Sequence, residues 1–145
     1  MDETDVRILE LLLADARLSS RQIARRLGVS VGTVLGRIKR MERGGVIKGY
    51  SAILDHEKLG YELTVVTEVV VAKGKLLEME REIAKWPNIC CVYDVTGQTD
   101  AFVIAKFYNR EELSAFTKRL LSLPLVERTN THLVLTTVKE NLNMI

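Results

Sequence analysis

The chain has only two prolines, and both stand at the same place in a repeated pattern. Trp86-Pro87-Asn88-Ile89 follows one helical stretch and Leu123-Pro124-Leu125-Val126 follows another. In each case a residue that lacks an N–H and clashes with the preceding turn halts a helix. An aliphatic residue then opens a β-type run. The helical stretches are Lys75 to Lys85, with Leu76, Met79 and Ile83 on one face, and Arg110 to Leu121, with Leu113, Phe116 and Leu120 inside. The runs around them are Thr64 to Val71 (TVVTEVVV), Ile89 to Thr96, Ala101 to Tyr108 and a long last run, Val126 to Val138. Their β-branched composition and turn-residue boundaries predict strands, and Gly97 to Asp100 predicts a hairpin turn.

Strand-helix-strand, written twice, implies a ferredoxin-like βαββαβ unit: a four-stranded antiparallel sheet with both helices on one face. Two helices cover only one side of four strands. Yet Thr64–Val71, Ile89–Thr96 and Ala101–Tyr108 are apolar on both alternations. A bare apolar sheet face is the kind of patch that marks a partner surface. The economical covering is a second copy packed sheet to sheet, a homodimer.

The N-terminal third has a different character. Between Arg17 and Lys48 stand nine basic residues and one acid, Glu42, a local net charge of +8 in a chain whose total is +2. Residues 1–50 are net +4 and residues 51–145 net −2. Such asymmetry points to a nucleic-acid-binding part followed by a part with another task.

Helical patterning covers the basic stretch. Asp2 and Asp5 suit the start of a first helix, in which Val6, Leu9, Leu12 and Leu13 repeat at helical spacing. Ser19-x-x-Gln22 is a capping-box pattern, Ile23 and Leu27 form a stripe, and Gly28 offers a left-handed stop. Ser30 caps a third helix running to about Arg43, with Val34, Ile38 and Met41 as its buried stripe. Its opposite face carries Gly32, Gly36, Lys39, Arg40 and Arg43, flanked by Thr33, Leu35 and Arg37. Three helices with a basic face on the last are how a helix-turn-helix presents itself to the major groove.

The expected DNA contacts are Arg21, Ser30, Thr33, Leu35, Arg37, Lys39, Arg40 and Arg43. Ser30, Thr33, Arg37 and Arg40 are the candidates for base edges, and Leu35 for a thymine methyl. Gly32 and Gly36, one turn apart on that face, each weaken a helix by about 1 kcal/mol relative to alanine. They leave two central groove positions without a long side chain, so a large share of recognition is expected from phosphate contacts and DNA shape.

The expected division is a helix-turn-helix domain over residues 1–45, a linker over 46–60 and the βαββαβ domain over 61–145, an α+β chain. The linker reads as extended from Val46 to Leu54, then as a turn from Asp55 to Leu59. No apolar run reaches membrane-spanning length and the start is acidic, so a soluble, cytoplasmic protein is expected. Cys90 and Cys91 are adjacent and expected as buried thiols without a disulfide. They and the isolated His56 and His132 make no metal site. No nucleophile–base pair or phosphate-binding glycine loop suggests an enzyme or a bound cofactor.

These residues resemble a known family. The segments DETDVRILELLLADARLS, ARRLGVSVGTVLGRIKRMERGGVIKGYSAILD and LGY at 59–61 are similar to the Lrp/AsnC prokaryotic transcriptional regulators, with a three-helix, winged-helix-like DNA-binding domain. The C-terminal part is similar to that family's ligand-sensing domain, including a Gly-x-x-Asp turn at Gly97-Gln98-Thr99-Asp100. The resemblance implies dimers assembling into tetramers, octamers or larger discs, binding to double-stranded promoter DNA, and an amino-acid effector held near that turn between ligand domains. On this chain the effector would meet Thr96, Gly97, Gln98, Thr99 and Asp100, with Thr129, Thr131 and His132 as the polar candidates of the last strand. Asp100 would supply an acid for the ammonium and the glycine turn backbone donors for the carboxylate. Two other functions compete. One is a DNA-architectural protein without effector. The other is an RNA-binding sheet, which needs exposed aromatics on its central strands; Tyr93, Phe102 and Phe107 are the only rings available.

Overall fold

The computed structural model describes all residues, 1–145. The chain divides into two compact units, Met1–Ile53 with Lys139–Ile145, and Leu54–Val138.

The first unit contains α1 (Glu3–Ala14), α2 (Ser20–Leu27) and α3 (Val31–Arg43). Each helix begins on the cap its sequence offers. Asp2 accepts from the Asp5 N–H at 3.0 Å and Asp5 returns the bond to the Asp2 N–H at 3.1 Å. Ser19 and Gln22 make the same reciprocal pair before α2. Gly28, at φ 69° and ψ 31°, ends α2 in the left-handed conformation that costs other residues a Cβ clash. The core is Ile8, Leu9, Ile23, Ala24, Val34 and Met41, with Leu12, Leu27 and Ile38 packed against it. The stripe of α1 is rotated from the expected one. Ile8 and Asp5 are fully buried, whereas Leu13 is 43% exposed. An ionised side chain holds the inward position that apolar periodicity alone would not assign to it.

After α3 the chain turns at Gly44–Gly45, and the Val46 and Ile47 N–H groups both bond to the Met41 carbonyl. No strand follows before β1, and a turn occupies residues 56–60.

The second unit contains β1 (Leu63–Val71), α4 (Leu76–Ile83), β2 (Ile89–Asp94), β3 (Ala101–Phe107), α5 (Arg110–Ser122) and β4 (Val126–Leu133). The sheet order is β2-β3-β1-β4, every pair antiparallel, as the ferredoxin-like reading requires. The last strand is shorter than expected. It ends at Leu133, because β1, its only neighbour, begins at Leu63 and runs out of ladder after the Val134 N–H reaches the Thr64 carbonyl. β2 likewise stops at Asp94, where the Val95 N–H bonds to the Asp100 carbonyl.

One sheet face buries Val65, Thr67, Val69 and Val71 of β1 and Ala101, Val103, Ala105 and Phe107 of β3. Met79, Ile83, Trp86, Phe116 and Leu120 of the helical layer complete this core. Phe116 packs edge-on to Trp86 at 5.9 Å and tilted to Phe107 at 5.1 Å, and the Arg119 guanidinium lies 4.0 Å over the Trp86 ring. The register places Val66, Glu68, Val70, Phe102, Ile104, Tyr93, Arg128, Asn130 and His132 on the opposite face.

A register irregularity between Ile89 and Cys91 displaces Cys90 from the ladder. Contrary to the expectation of two buried thiols, Cys90 is exposed and Cys91 partly buried. β2 is an edge strand of the sheet, so its residues have a neighbouring strand on one side only. No helix is long and apolar enough to cross a membrane.

Candidate nucleic-acid interface and ligand pocket

The basic face begins on α2. Arg21, Arg25 and Arg26 are exposed, as are Lys39, Arg40 and Arg43 of α3. At the α3 N-terminus the Ser30 Oγ accepts from the Thr33 N–H at 3.0 Å and lies 2.8 Å from the Thr33 Oγ1. Both hydroxyls are therefore held in place, each able to offer one further bond. Leu35 is 44% exposed. The Arg43 Nε donates to the Lys39 carbonyl at 3.4 Å, which leaves the rest of the fork free. Gly36 has nothing within 4 Å of where a Cβ would stand, and Gly32 only the Ser30 Oγ at 3.8 Å. Neither glycine is demanded by packing inside the unit.

Two of the expected contacts point elsewhere. The Arg37 Nη1 donates to Asp2 Oδ1 and Oδ2, each at 2.6 Å, and to Asp5 Oδ1 at 2.8 Å. The Arg40 Nη2 donates to Asp5 Oδ2 at 2.7 Å. Arg37 is only 24% exposed and thus belongs to the α1–α3 joint, while Arg40, 59% exposed, spans joint and surface. The pair works in both directions. The Arg37 hydrogen bond, followed by the capping bond to the Asp5 N–H, lowers the Asp2 pKa to about 2. The same guanidinium comes first in holding Asp5 below the usual carboxylate range. Asp2 in turn pushes Arg37 up. Sequence periodicity placed Arg37 beside the groove face but could not see two carboxylates, 35 and 32 positions earlier, taking up its donors.

In the second unit the turn at 96–100 is tied to β1. The Asp100 Oδ2 accepts the Val71 N–H at 2.8 Å, the Asp100 N–H reaches the Val69 carbonyl at 3.0 Å, and the Thr99 Oγ1 donates to that same carbonyl at 3.0 Å. One oxygen expected to await an ammonium thus closes a sheet end instead, because β1 outruns β3 and leaves the Val71 N–H without a ladder partner. Thr96, Gly97 and Gln98 are exposed, and Gly97 sits at φ 120°.

Gln98, Thr99 and Thr129 line a cavity of about 430 Å³ together with Glu68, Val70, Arg128 and Asn130. Thr131 is drawn away by a 3.1 Å bond between its Oγ1 and that of Thr67. His132 joins indirectly. Its Nε2 lies 2.9 Å from Glu68 Oε2, and Asn130 donates to that oxygen at 2.7 Å. The His132 bond, then the Asn130 bond, outweigh burial and hold the Glu68 carboxyl below its ordinary range, with Arg128 adding a smaller pull. Sequence reading missed Glu68 and Arg128. The available signal was Glu68 itself, the one charge inside TVVTEVVV. No group of three or more metal-ligating side chains comes together. Of the three rings a nucleobase-stacking sheet would use, Phe107 is 1% exposed beneath the helices.

Comparison with known proteins identifies both units. Residues 1–48 match the model for winged helix-turn-helix DNA-binding domains, and residues 64–144 the model for Lrp/AsnC ligand-binding domains. The chain is 47% identical to an uncharacterised HTH-type transcriptional regulator of Pyrococcus abyssi, over 99% of this chain and 98% of the relative. It is 39% identical to the HTH-type transcriptional regulator FL11 of Pyrococcus horikoshii, over 97% and 93% of the two chains. Among solved structures, the transcriptional regulator NMB0573 of Neisseria meningitidis, in complex with L-Met, superposes with a TM-score of 0.91 at 28% identity, covering 100% of this chain and 96% of the other. These relatives are regulators, not enzymes. With a capped helix-turn-helix in one unit and a βαββαβ ligand-binding domain in the other, the chain belongs to the Lrp/AsnC family of DNA-binding transcriptional regulators.

Proposed function

We propose that this regulator answers to an amino acid bound beside the 96–100 turn, and that the bound state changes how it holds promoter DNA. The observation that carries the reading is the cavity of about 430 Å³ in which Gln98 and Thr99 of the turn meet Thr129 of β4. The neighbour NMB0573, crystallised with L-Met, supports an amino acid as the ligand class. Thr96, Gly97 and Asp100 shape the turn, and His132 acts through Glu68.

DNA is met by Arg21, Ser30, Thr33, Leu35, Lys39 and Arg43, with Arg40 shared between DNA and Asp5, and Arg37 as a positioning residue. The apolar part of the open sheet face toward β3, Val66, Phe102 and Ile104, is covered by a second copy, and the cavity lies beside it toward the β4 edge. That homodimer presents two basic helices to a two-fold operator and assembles further through its ligand domains in the cytoplasm.

The test is a thermal-shift screen of the purified protein against the twenty amino acids, followed by gel-shift titration of promoter DNA with and without each hit. A ligand that binds only the native state raises the melting temperature by mass action. One or a few amino acids are expected to do so and to change DNA affinity. A protein that binds DNA but responds to none would be an effector-independent architectural protein.

A further inference from the structure

Two segments of the chain lie outside helices and strands and keep their backbone unpaired. One runs from Lys48 to Leu54, ahead of the turn at 56–60. The other follows β4, from Leu135 to Lys139. No backbone N–H or C=O of either stretch bonds to another backbone group. Both are nevertheless rooted. The Tyr50 hydroxyl donates to Glu42 Oε1 at 3.0 Å, and the Val134 N–H bonds to the Thr64 carbonyl. Both also hold large apolar side chains in solvent: Ile53 is 82% exposed, Leu135 92% and Val138 93%. Unpaired backbone with such side chains is a template for another strand.

The two segments complement each other when set antiparallel in one register. Lys48 then stands opposite Glu140, Tyr50 opposite Val138, Ser51 opposite Thr137 and Ile53 opposite Leu135. These are an opposite-charge pair, an aromatic with a β-branched residue, two hydroxyls and two aliphatics, all cross-strand neighbours that stabilise a ladder. Other registers lose this match. Slips of one residue bring Lys139 against Lys48 or Tyr50, and slips of two set Lys48 against Val138 or Leu142.

We propose that residues 48–53 of one copy pair with residues 135–140 of a second copy, and reciprocally, so that the homodimer is clasped by two short ladders. A single chain holds both segments and leaves both unpaired. A second copy already seated on the sheet face offers the complement at high effective concentration. Reciprocal exchange uses the same surface on both copies and closes at two. The clasp joins the linker that carries α3 of one copy to the end of β4 of the other. This inference rests on the homodimer reading above and adds a second, separate contact between the copies.

The experiment uses the full-length chain with Cys90→Ser and Cys91→Ser, which removes its native thiols. Ser51→Cys and Thr137→Cys are added singly and together, and each protein is oxidised and run on a non-reducing gel. The doubly substituted chain is expected to give a covalent dimer, and neither single substitution is expected to do so. Loss of thiols without a dimer band would mean pairing inside one chain and overturn the proposal. Covalent ladders longer than two, or a dimer from either single substitution, would overturn the reciprocal register. In the otherwise native chain, Leu135→Ser with Val138→Ser is expected to raise the dimer dissociation constant at least about tenfold by sedimentation equilibrium. Circular dichroism checks that every variant keeps its fold. Unchanged self-association together with no cross-link would overturn the clasp while leaving the sheet-to-sheet dimer standing. A wild-type chain that stays monomeric would overturn both.

Discussion

Arg37 and Asp5, 32 positions apart, meet at 2.8 Å between Nη1 and Oδ1, and Asp5 is fully buried. Arg40 takes the other oxygen of the same carboxylate. A buried charge whose partner is removed cannot regain water, so breaking the pair costs more than the pair itself contributes. Arg37→Met is expected to lower the melting temperature of the helix-turn-helix unit by several degrees and to weaken DNA binding in proportion to the unfolded fraction. Arg37→Lys should restore little, because one ammonium cannot reproduce a fork that spans Asp2 and Asp5. Thermal melts followed by circular dichroism separate the variants. A stable Arg37→Met chain with weakened DNA binding would instead make Arg37 a direct DNA contact.

The same joint sets an acid limit. Asp2 titrates at about 2 in the folded chain against an ordinary 3.8, and Asp5 is lowered in the same direction. A depressed folded pKa stabilises fully above the unfolded value and is lost as pH falls through the folded one. The joint should therefore hold down to about pH 4 and weaken progressively toward pH 2. Asp2→Asn is expected to flatten that part of the stability–pH curve, measured by urea unfolding at stepped pH.

Gly36 lies on an exposed helix face with open space where a Cβ would be. Gly36→Ala should raise stability by about 1 kcal/mol. The added methyl also stands on the face expected to approach DNA, so operator affinity should fall while the melting temperature rises. Opposite signs in the two measurements would show that the groove, not the fold, asks for glycine there. A rise in both would mean that the glycine has no role in DNA approach.

The exposed basic side chains on α2 and α3 are expected to make DNA affinity strongly salt-dependent. The logarithm of the association constant should fall linearly with the logarithm of salt concentration, and Arg21→Ala, Lys39→Ala or Arg43→Ala should each reduce that slope by about 1. A slope unaffected by any of the three would move the phosphate contacts elsewhere on the unit.

Asp100 separates structure from ligand. Asp100→Ala leaves the Val71 N–H without its acceptor, a cost of about 1–3 kcal/mol for a group held away from water. Asp100→Asn keeps an acceptor oxygen at that place. The alanine variant is expected to lose stability with or without an amino acid, while the asparagine variant keeps both its fold and its ligand response. Denaturant titration with and without ligand reads the difference.

Much of this molecule was legible in local chemistry. Ser19 with Gln22, Gly28, Ser30, Pro87 and Pro124 act through neighbours a few residues away, so helix starts and stops could be read one turn at a time. The strand-helix-strand repeat carried the topology, because few connections satisfy two such units in one sheet. What remained hidden depended on residues distant in the chain. Asp5 faces inward because two arginines of α3 neutralise it there, and no periodicity within α1 encodes that. β4 ends at Leu133 because β1 has no more backbone to offer, although the sequence beyond remains β-like. Asp100 closes the end of β1, and Glu68 stands in the cavity, because the ladder sets those neighbours. The sequence by itself determined which segments are helix or strand and where the positive charge collects. Only the tertiary structure decided which charges are consumed in holding the fold and which stay open to solvent, since that depends on distances between residues that the chain order does not contain.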